Sequence, residues 1–280
     1  MPELWGVLNV TPDSFSDGGR YLDPRAAIDH GRRLLAEGAD VLDVGGESSR
    51  PAGLTYGQGF DHVPAEEEIR RVVPVIEVLA GELRARVSVD TVKPEVAVAA
   101  LSAGARIVND VRCAEDPRLA QAAAAVGAEY VIMHNRGRGE VRAPNTDYEN
   151  VTEDVVAELL AAAERVEGAG VPRAAVWLDP GLGFAKTARQ SAQLLSSLGR
   201  FQKTGYRVLV GPSRKSFIAE LAPTPSGERP PAEDRLGGTA AAIAMCVAAG
   251  VDAVRVHDVR VMRQAAAIAE ALWSPGGGAP

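Results

Sequence analysis

The segment Leu4-Trp5-Gly6-Val7-Leu8-Asn9-Val10-Thr11-Pro12-Asp13-Ser14-Phe15-Ser16-Asp17-Gly18-Gly19 changes character at Asn9. Up to that residue it is an apolar run rich in β-formers, and beyond it a polar, Pro- and Gly-bearing stretch that reads as a loop. A short buried strand therefore delivers a loop holding two carboxylates, hydroxyls and one aromatic, Phe15, to one end of the fold. Such a stretch serves either as a surface loop with its ring tucked against a helix or as a cover for a site.

The same change of character recurs down the chain. A helix starts at Asp23-Pro24 and stops at Gly38, with Pro24 at a first-turn position where its missing N–H costs nothing. The strand 39–44 runs into Gly45-Gly46-Glu47-Ser48-Ser49-Arg50-Pro51, and a long segment to His62 precedes a helix over 64–84. Strand 86–89 closes on Asp90, strand 105–108 on Asn109-Asp110, and strand 129–133 on His134-Asn135-Arg136. Strand 174–178 closes on Asp179, 207–210 on Gly211-Pro212-Ser213-Arg214-Lys215, and 253–256 on His257-Asp258. Helices are expected over 94–104, 117–126, 151–167, 188–201, 235–249 and from 258 to Trp273, with a Pro-rich insertion at 223–231.

Eight strands each followed by helix predict an α/β fold, a single (β/α)8 TIM barrel over residues 1–273 with long loops after strands 1 and 2, and a C-terminal tail at 274–280. The 280 residues suit that fold, which typically takes ~250. A doubly wound open sheet is the competitor, but the first strand-to-helix turn lacks G-x-G-x-x-G and polar clusters follow nearly every strand.

Composition narrows the function. The chain is 46% hydrophobic with a net charge of −7, so it carries no basic footprint for nucleic acid or anionic membrane. Cys113 and Cys246 are the two cysteines, too far apart for CxxC or zinc-like spacing, and read as buried thiols of a cytoplasmic protein. No basic-then-apolar leader or apolar run of bilayer length is present.

In a barrel, the C-terminal strand ends converge on one mouth. Asn9, Ser49, Arg50, Asp90, Asn109, Asp179, Lys215, Arg255 and His257 all fall there. Any one could be a cap, a turn residue or a core histidine; their shared position is what those readings leave unexplained. Asp90, Asn109 and Asp179 suit a flat heterocycle presenting N–H donors. Arg50, Lys215, Arg255 and His257 suit a phosphate or carboxylate, and Asn9 with the acids of the first loop suits Mg2+. Gly181-Leu182-Gly183-Phe184-Ala185-Lys186-Thr187 lacks the glycine a P-loop places before its lysine, so it reads as a tight turn bringing Phe184 to the mouth. The basic run 136–142 reads as a solvated loop without a role.

In order along the chain, the motifs at 9–19, Asp43-Val44-Gly45-Gly46-Glu47-Ser48-Ser49-Arg50-Pro51, Ser88-Val89-Asp90-Thr91, Asn109-Asp110, Met133-His134, Leu178-Asp179-Pro180-Gly181-Leu182-Gly183-Phe184, Ser213-Arg214-Lys215 and Arg255-Val256-His257-Asp258 resemble the dihydropteroate synthase family. The resemblance implies a pterin-binding barrel that condenses 6-hydroxymethyl-7,8-dihydropterin diphosphate with p-aminobenzoate. It places the pterin on Asp90, Asn109, Asp179 and Lys215, and the diphosphate with Mg2+ on Asn9, Ser49, Arg50, Arg255 and His257. It places p-aminobenzoate among Phe15, Ser49, Arg50, Pro51, Phe184 and Lys215, with the catalytic role shared by Asp90, Lys215, Arg255 and, on the first loop, Asp17. It further implies a sulfonamide target and a homodimer through the last helices. The alternatives are a methyltetrahydrofolate-dependent methyltransferase on the same kind of barrel, or a non-catalytic pterin-binding paralogue. Local departures are Ala52 after Pro51, a longer second loop through 54–62, and Arg112-Cys113 after Val111.

Overall fold

The computed structural model describes residues 1–11, 24–47, 63–137 and 140–273. Its strands β1 (Glu3–Asn9), β2 (Val41–Gly45), β3 (Val87–Asp90), β4 (Ile107–Asp110), β5 (Glu129–Met133), β6 (Val176–Asp179), β7 (Arg207–Val210) and β8 (Ala253–Val256) pair in sequence order into a closed, all-parallel barrel. The expected fold is the one observed. Helices α1 (Pro24–Ala36), α2 (Ala65–Glu77), α3 (Pro94–Ser102), α4 (Pro117–Val126), α5 (Val151–Gly168), α6 (Ala188–Ser196), α7 (Leu198–Gln202), α8 (Ser216–Leu221), α9 (Leu236–Ala248) and α10 (Val259–Trp273) surround it.

Period-two alternation sorts the strand residues into two cores. Leu4, Leu8, Leu42, Val44, Val89, Val108, Ile132, Leu178, Val208, Val210, Val254 and Val256 face the helices. Trp5, Val41, Ile107, Val131, Trp177, Leu209 and Ala253 fill the barrel interior, where the Trp5 and Trp177 rings meet edge to face with centroids 5.3 Å apart. The bulk of those two indoles plugs the lower barrel, so the open space lies toward the C-terminal strand ends.

Local chemistry places the helices. Pro94 and Pro117 sit in the first turns of α3 and α4. Asp116, Asn150 and Thr187 cap α4, α5 and α6 with side-chain acceptors, Thr187 in a reciprocal capping box with Gln190. Gly31 lets α1 approach the turn after α2, since a Cβ there would stand 2.7 Å from Leu79 Cδ2.

Several boundaries differ from expectation. The helix read over 64–84 is α-helical only to Glu77 and closes as a π-helical turn, Val78–Glu82. The helix read over 188–201 breaks at Ser197 into α6 and α7. Strands β2, β3, β4 and β6 each extend one or two residues further than read, so Gly45, Asp90, Asn109, Asp110 and Asp179 belong to the sheet. Ladder hydrogen bonds to the neighbouring strands hold those polar residues in extended backbone, which propensity alone disfavours. The expected tail at 274–280 lies outside the described residues.

Candidate active site

The floor of the mouth is an acidic ring with one guanidinium at its centre. Register aligns Gly45 with Asp90 and Asp90 with Asn109, so these residues point into one space. The Arg255 Nε donates to Asp43 Oδ2 at 2.5 Å and its Nη2 donates to Asp90 Oδ2 at 2.8 Å. Asn109 Nδ2 donates to the same Asp43 oxygen at 3.1 Å. Asp43 is fully buried and Asp90 and Asn109 nearly so. Burial pushes the Asp90 carboxyl up to about 7 even though Arg255 opposes the rise, with the Asp43 charge adding to it. Asp43 Oδ1 and Asn109 Oδ1 are buried and meet no partner among the described residues.

Across the mouth, Asp179 ends β6 opposite Met133. Its Oδ1 accepts from the Gly181 N–H at 2.7 Å, and burial raises its carboxyl despite that bond and the charge of Lys215. The following turn is tight. Gly181 has φ +66°, and a Cβ there would stand 2.0 Å from the His134 carbonyl oxygen, so only glycine fits. The turn sets Phe184 beside Lys215, whose Nζ lies 4.1 Å from the ring centroid, a cation–π distance.

His257 follows β8, and its Nδ1 lies 3.0 Å from Ser213 Oγ, which also accepts from the His257 N–H at 3.2 Å. Arg214 forms a two-pronged ion pair with Asp258, tying the turn after β7 to that after β8. Asn9 closes β1 beside Gly45, where a Cβ would stand 3.8 Å from Asn9 Oδ1. The structure therefore brings Asn9, Asp90, Asn109, Asp179, Phe184, Lys215, Arg255 and His257 to one end of the barrel. Phe15, Asp17, Ser49, Arg50 and Pro51 lie outside the described residues.

The comparisons with known proteins agree with this geometry. The profile of the pterin binding enzyme family matches residues 5–257. The dihydropteroate synthase of Mycobacterium leprae is 44% identical over 262 residues, 92% of this chain and 89% of that one. The Xanthomonas albilineans dihydropteroate synthase with 4-aminobenzoic acid superposes with a TM-score of 0.87 at 40% identity, covering 98% of this chain and 94% of that one. The chain belongs to the dihydropteroate synthases of the pterin-binding family. A Yersinia pestis dihydropteroate synthase in a sulfonamide drug complex has a TM-score of 0.85 at 36% identity, covering 97% of this chain and 93% of that one.

As a dihydropteroate synthase the chain is a transferase, and two groups at its site escaped the motif reading. Asp43 was quoted within a motif and given no role, yet it is the carboxylate that orients both Arg255 and Asn109. Its signal was a lone Asp two residues before the strand end, on the inward parity of β2. Beneath the β2 and β3 ends, Lys93, 8% exposed, pairs with both Glu47 and the buried Glu68. The run 136–142 also needs correcting: Arg136 is ion-paired to Glu158 and lies 4.0 Å over the Tyr148 ring. Residues 138–139 of that run lie outside the described residues.

Proposed function

We propose that this dihydropteroate synthase divides its reaction between the acidic floor and the cationic rim of the mouth, with residues 1–273 acting as one pterin-binding barrel. The observation that carries the reading is the set of buried acceptors, Asp90, Asp179 and the Asp43 Oδ1 and Asn109 Oδ1 that meet no partner among the described residues, which suit a heterocycle that brings its own N–H donors. A ligand without those donors leaves the acceptors dry and unpaired, which is how such a pocket selects. Lys215 covers the pterin from the β7 turn, and Asp90 and Arg255 hold its charge distribution.

The diphosphate is assigned to Asn9 and His257 at the rim and to Arg255 of the floor, with Ser49 and Arg50. Asn9 offers one hard oxygen donor at the end of β1, and no group of three or more His, Cys, Asp or Glu that could hold a metal occurs among the described residues. That donor set fits Mg2+ arriving on the diphosphate and keeping several waters. When bound, the metal would neutralise the leaving group. The C–O bond from the pterin methylene to diphosphate breaks, diphosphate takes the electron pair, and the electron-rich heterocycle with the nearby carboxylates stabilises the cationic methylene. The p-aminobenzoate amine then forms the new C–N bond and loses a proton to solvent. Positioning suffices for this nucleophile, supplied by Phe184, Lys215 and, from the first two loops, Phe15, Asp17, Ser49, Arg50 and Pro51.

Assembly as a homodimer is supported by α10, which packs on α9 and leaves Val261, Ile268, Leu272 and Trp273 exposed with spacings of seven, four and one residues. No helix of the described residues is long and apolar enough to cross a membrane. Free Cys113 and Cys246 support a cytoplasmic site of action. The test is release of diphosphate from the pterin diphosphate, assayed with and without p-aminobenzoate. One diphosphate released for each C–N bond formed is expected with both substrates present, and a folded enzyme that releases none would overturn the reading.

A further inference from the structure

The lysine of the turn after β6 does not reach the mouth. Lys186 is 1% exposed, and its Nζ donates to the Phe184 carbonyl at 2.9 Å and to His134 Nδ1 at 2.8 Å. With Nδ1 accepting, the His134 proton sits on Nε2, which is 3.0 Å from Glu158 Oε2. Glu158 is in turn ion-paired to Arg136. His134 is fully buried, and burial with the adjacent Lys186 charge lowers its imidazole to about 4, which keeps it neutral. A continuous polar line thus runs from α5, through the end of β5, to the backbone of the residue whose ring faces Lys215. The neighbouring Ala185 carbonyl is held separately by the Tyr148 hydroxyl at 3.1 Å.

We propose that the buried line Lys186, His134 and Glu158 is a strut that positions the Phe184 ring for p-aminobenzoate, Lys186 being its positioning residue. The inference rests on the assignment of Phe184 to the p-aminobenzoate site. Three facts argue that the line serves placement rather than mere stability. First, Ala185 sits at φ +50° and Gly183 at φ +79°, so the turn is held in the left-handed region on both sides of Phe184 and would relax if released. Second, an ammonium is an expensive way to fill this space: burial pushes Lys186 down to about 7, and a methionine would fill the same volume without that desolvation. Third, Asp179 keeps its own hold without the Lys186 side chain: it pairs in the sheet with Met133, its carboxylate takes the Gly181 N–H, and its carbonyl accepts from the His134 backbone N–H at 2.8 Å.

The experiment compares Lys186→Met, Glu158→Ala and Phe184→Ala in steady state, varying each substrate in turn, with Tm recorded for each variant. Lys186→Met is expected to raise the p-aminobenzoate KM by about tenfold or more, as loss of a pre-set reacting geometry does, while the KM for the pterin diphosphate changes less than about twofold. Glu158→Ala, at a side chain 37% exposed, is expected to move the same KM by about threefold in the same direction. Either variant, folded by its Tm, with a p-aminobenzoate KM at the wild-type value overturns the proposal, as does an equal rise for both substrates. Phe184→Ala separates the two layers of argument. If it leaves the p-aminobenzoate KM unchanged, the assignment of Phe184 fails; if it raises that KM and the strut variants do not, only the strut fails.

Discussion

The two sides of the barrel mouth are built by different means. On the acidic side, Asp43, Asp90 and Asn109 are strand residues, as Asp179 is across the mouth, each fixed by ladder pairing with neighbours. On the cationic side, Phe184, Lys215 and His257 stand on turns, where Lys186 donates to the Phe184 carbonyl, the Lys215 ammonium faces the Phe184 ring and the Ser213 hydroxyl meets His257. A sheet fixes backbone position through many bonds at once, whereas a turn relies on a few specific ones. The first arrangement suits a rigid heterocycle whose donors never vary. The second suits ligands that enter and depart.

The sharpest way to break the contrast is at Arg255, which belongs to both sides. Arg255→Met leaves buried Asp43 and Asp90 without their counter-charge and is expected to destabilise the fold by about 3 to 5 kcal/mol, read by urea unfolding. Asp90 is raised to about 7, and an acid raised on folding contributes most when protonated, a contribution lost as pH rises toward that value. The loss in Arg255→Met should therefore be smaller at pH 5 than at pH 8; a pH-independent loss would detach Asp90 from this pair.

Asp179→Asn is next in size. An amide presents a donor where the heterocycle's N–H groups need an acceptor, at ~1 to 3 kcal/mol for each group left unpaired, so calorimetry with a pterin analogue should show affinity falling by about tenfold to a hundredfold. Unchanged affinity in the folded variant would remove Asp179 from the site.

His257→Ala tests the turn side. It should weaken the diphosphate substrate by about 1.5 to 3 kcal/mol, the range for bonds to charged groups, and leave a pterin lacking diphosphate unaffected. Equal losses for both ligands would make His257 a structural partner of Ser213 only.

The smallest expected effect is in the long second loop. Replacing 54–62, outside the described residues, by a short Gly-Ser turn should shift the sulfonamide inhibition constant and the p-aminobenzoate KM by unequal factors, of order two to five, because discrimination is a difference of two affinities. If both constants hold, that loop is no part of the site.

Much of this was legible in residues. Strand-then-polar-cluster periodicity gave the barrel, and the motifs gave Asn9, Asp90, Asn109, Asp179, Phe184, Lys215, Arg255 and His257 as a convergent set. What escaped reading were groups whose partners are remote in sequence. Arg255 read only toward a phosphate, and the structure also pairs it with Asp43 and Asp90, 212 and 165 residues away. Lys186 read as part of a tight turn with no role of its own, and Arg136 as a solvated charge.

The sequence by itself determined which residues stand at strand ends and on which parity they point, because those properties depend on periods of two and 3.6 and on local turn chemistry. Only the closed barrel decided which acid meets which base. A buried charge takes its partner from whatever side chain the packing brings within about 3 Å. That neighbour, in Asp43 with Arg255 and in Lys186 with His134, is set by strands and turns far apart in the chain.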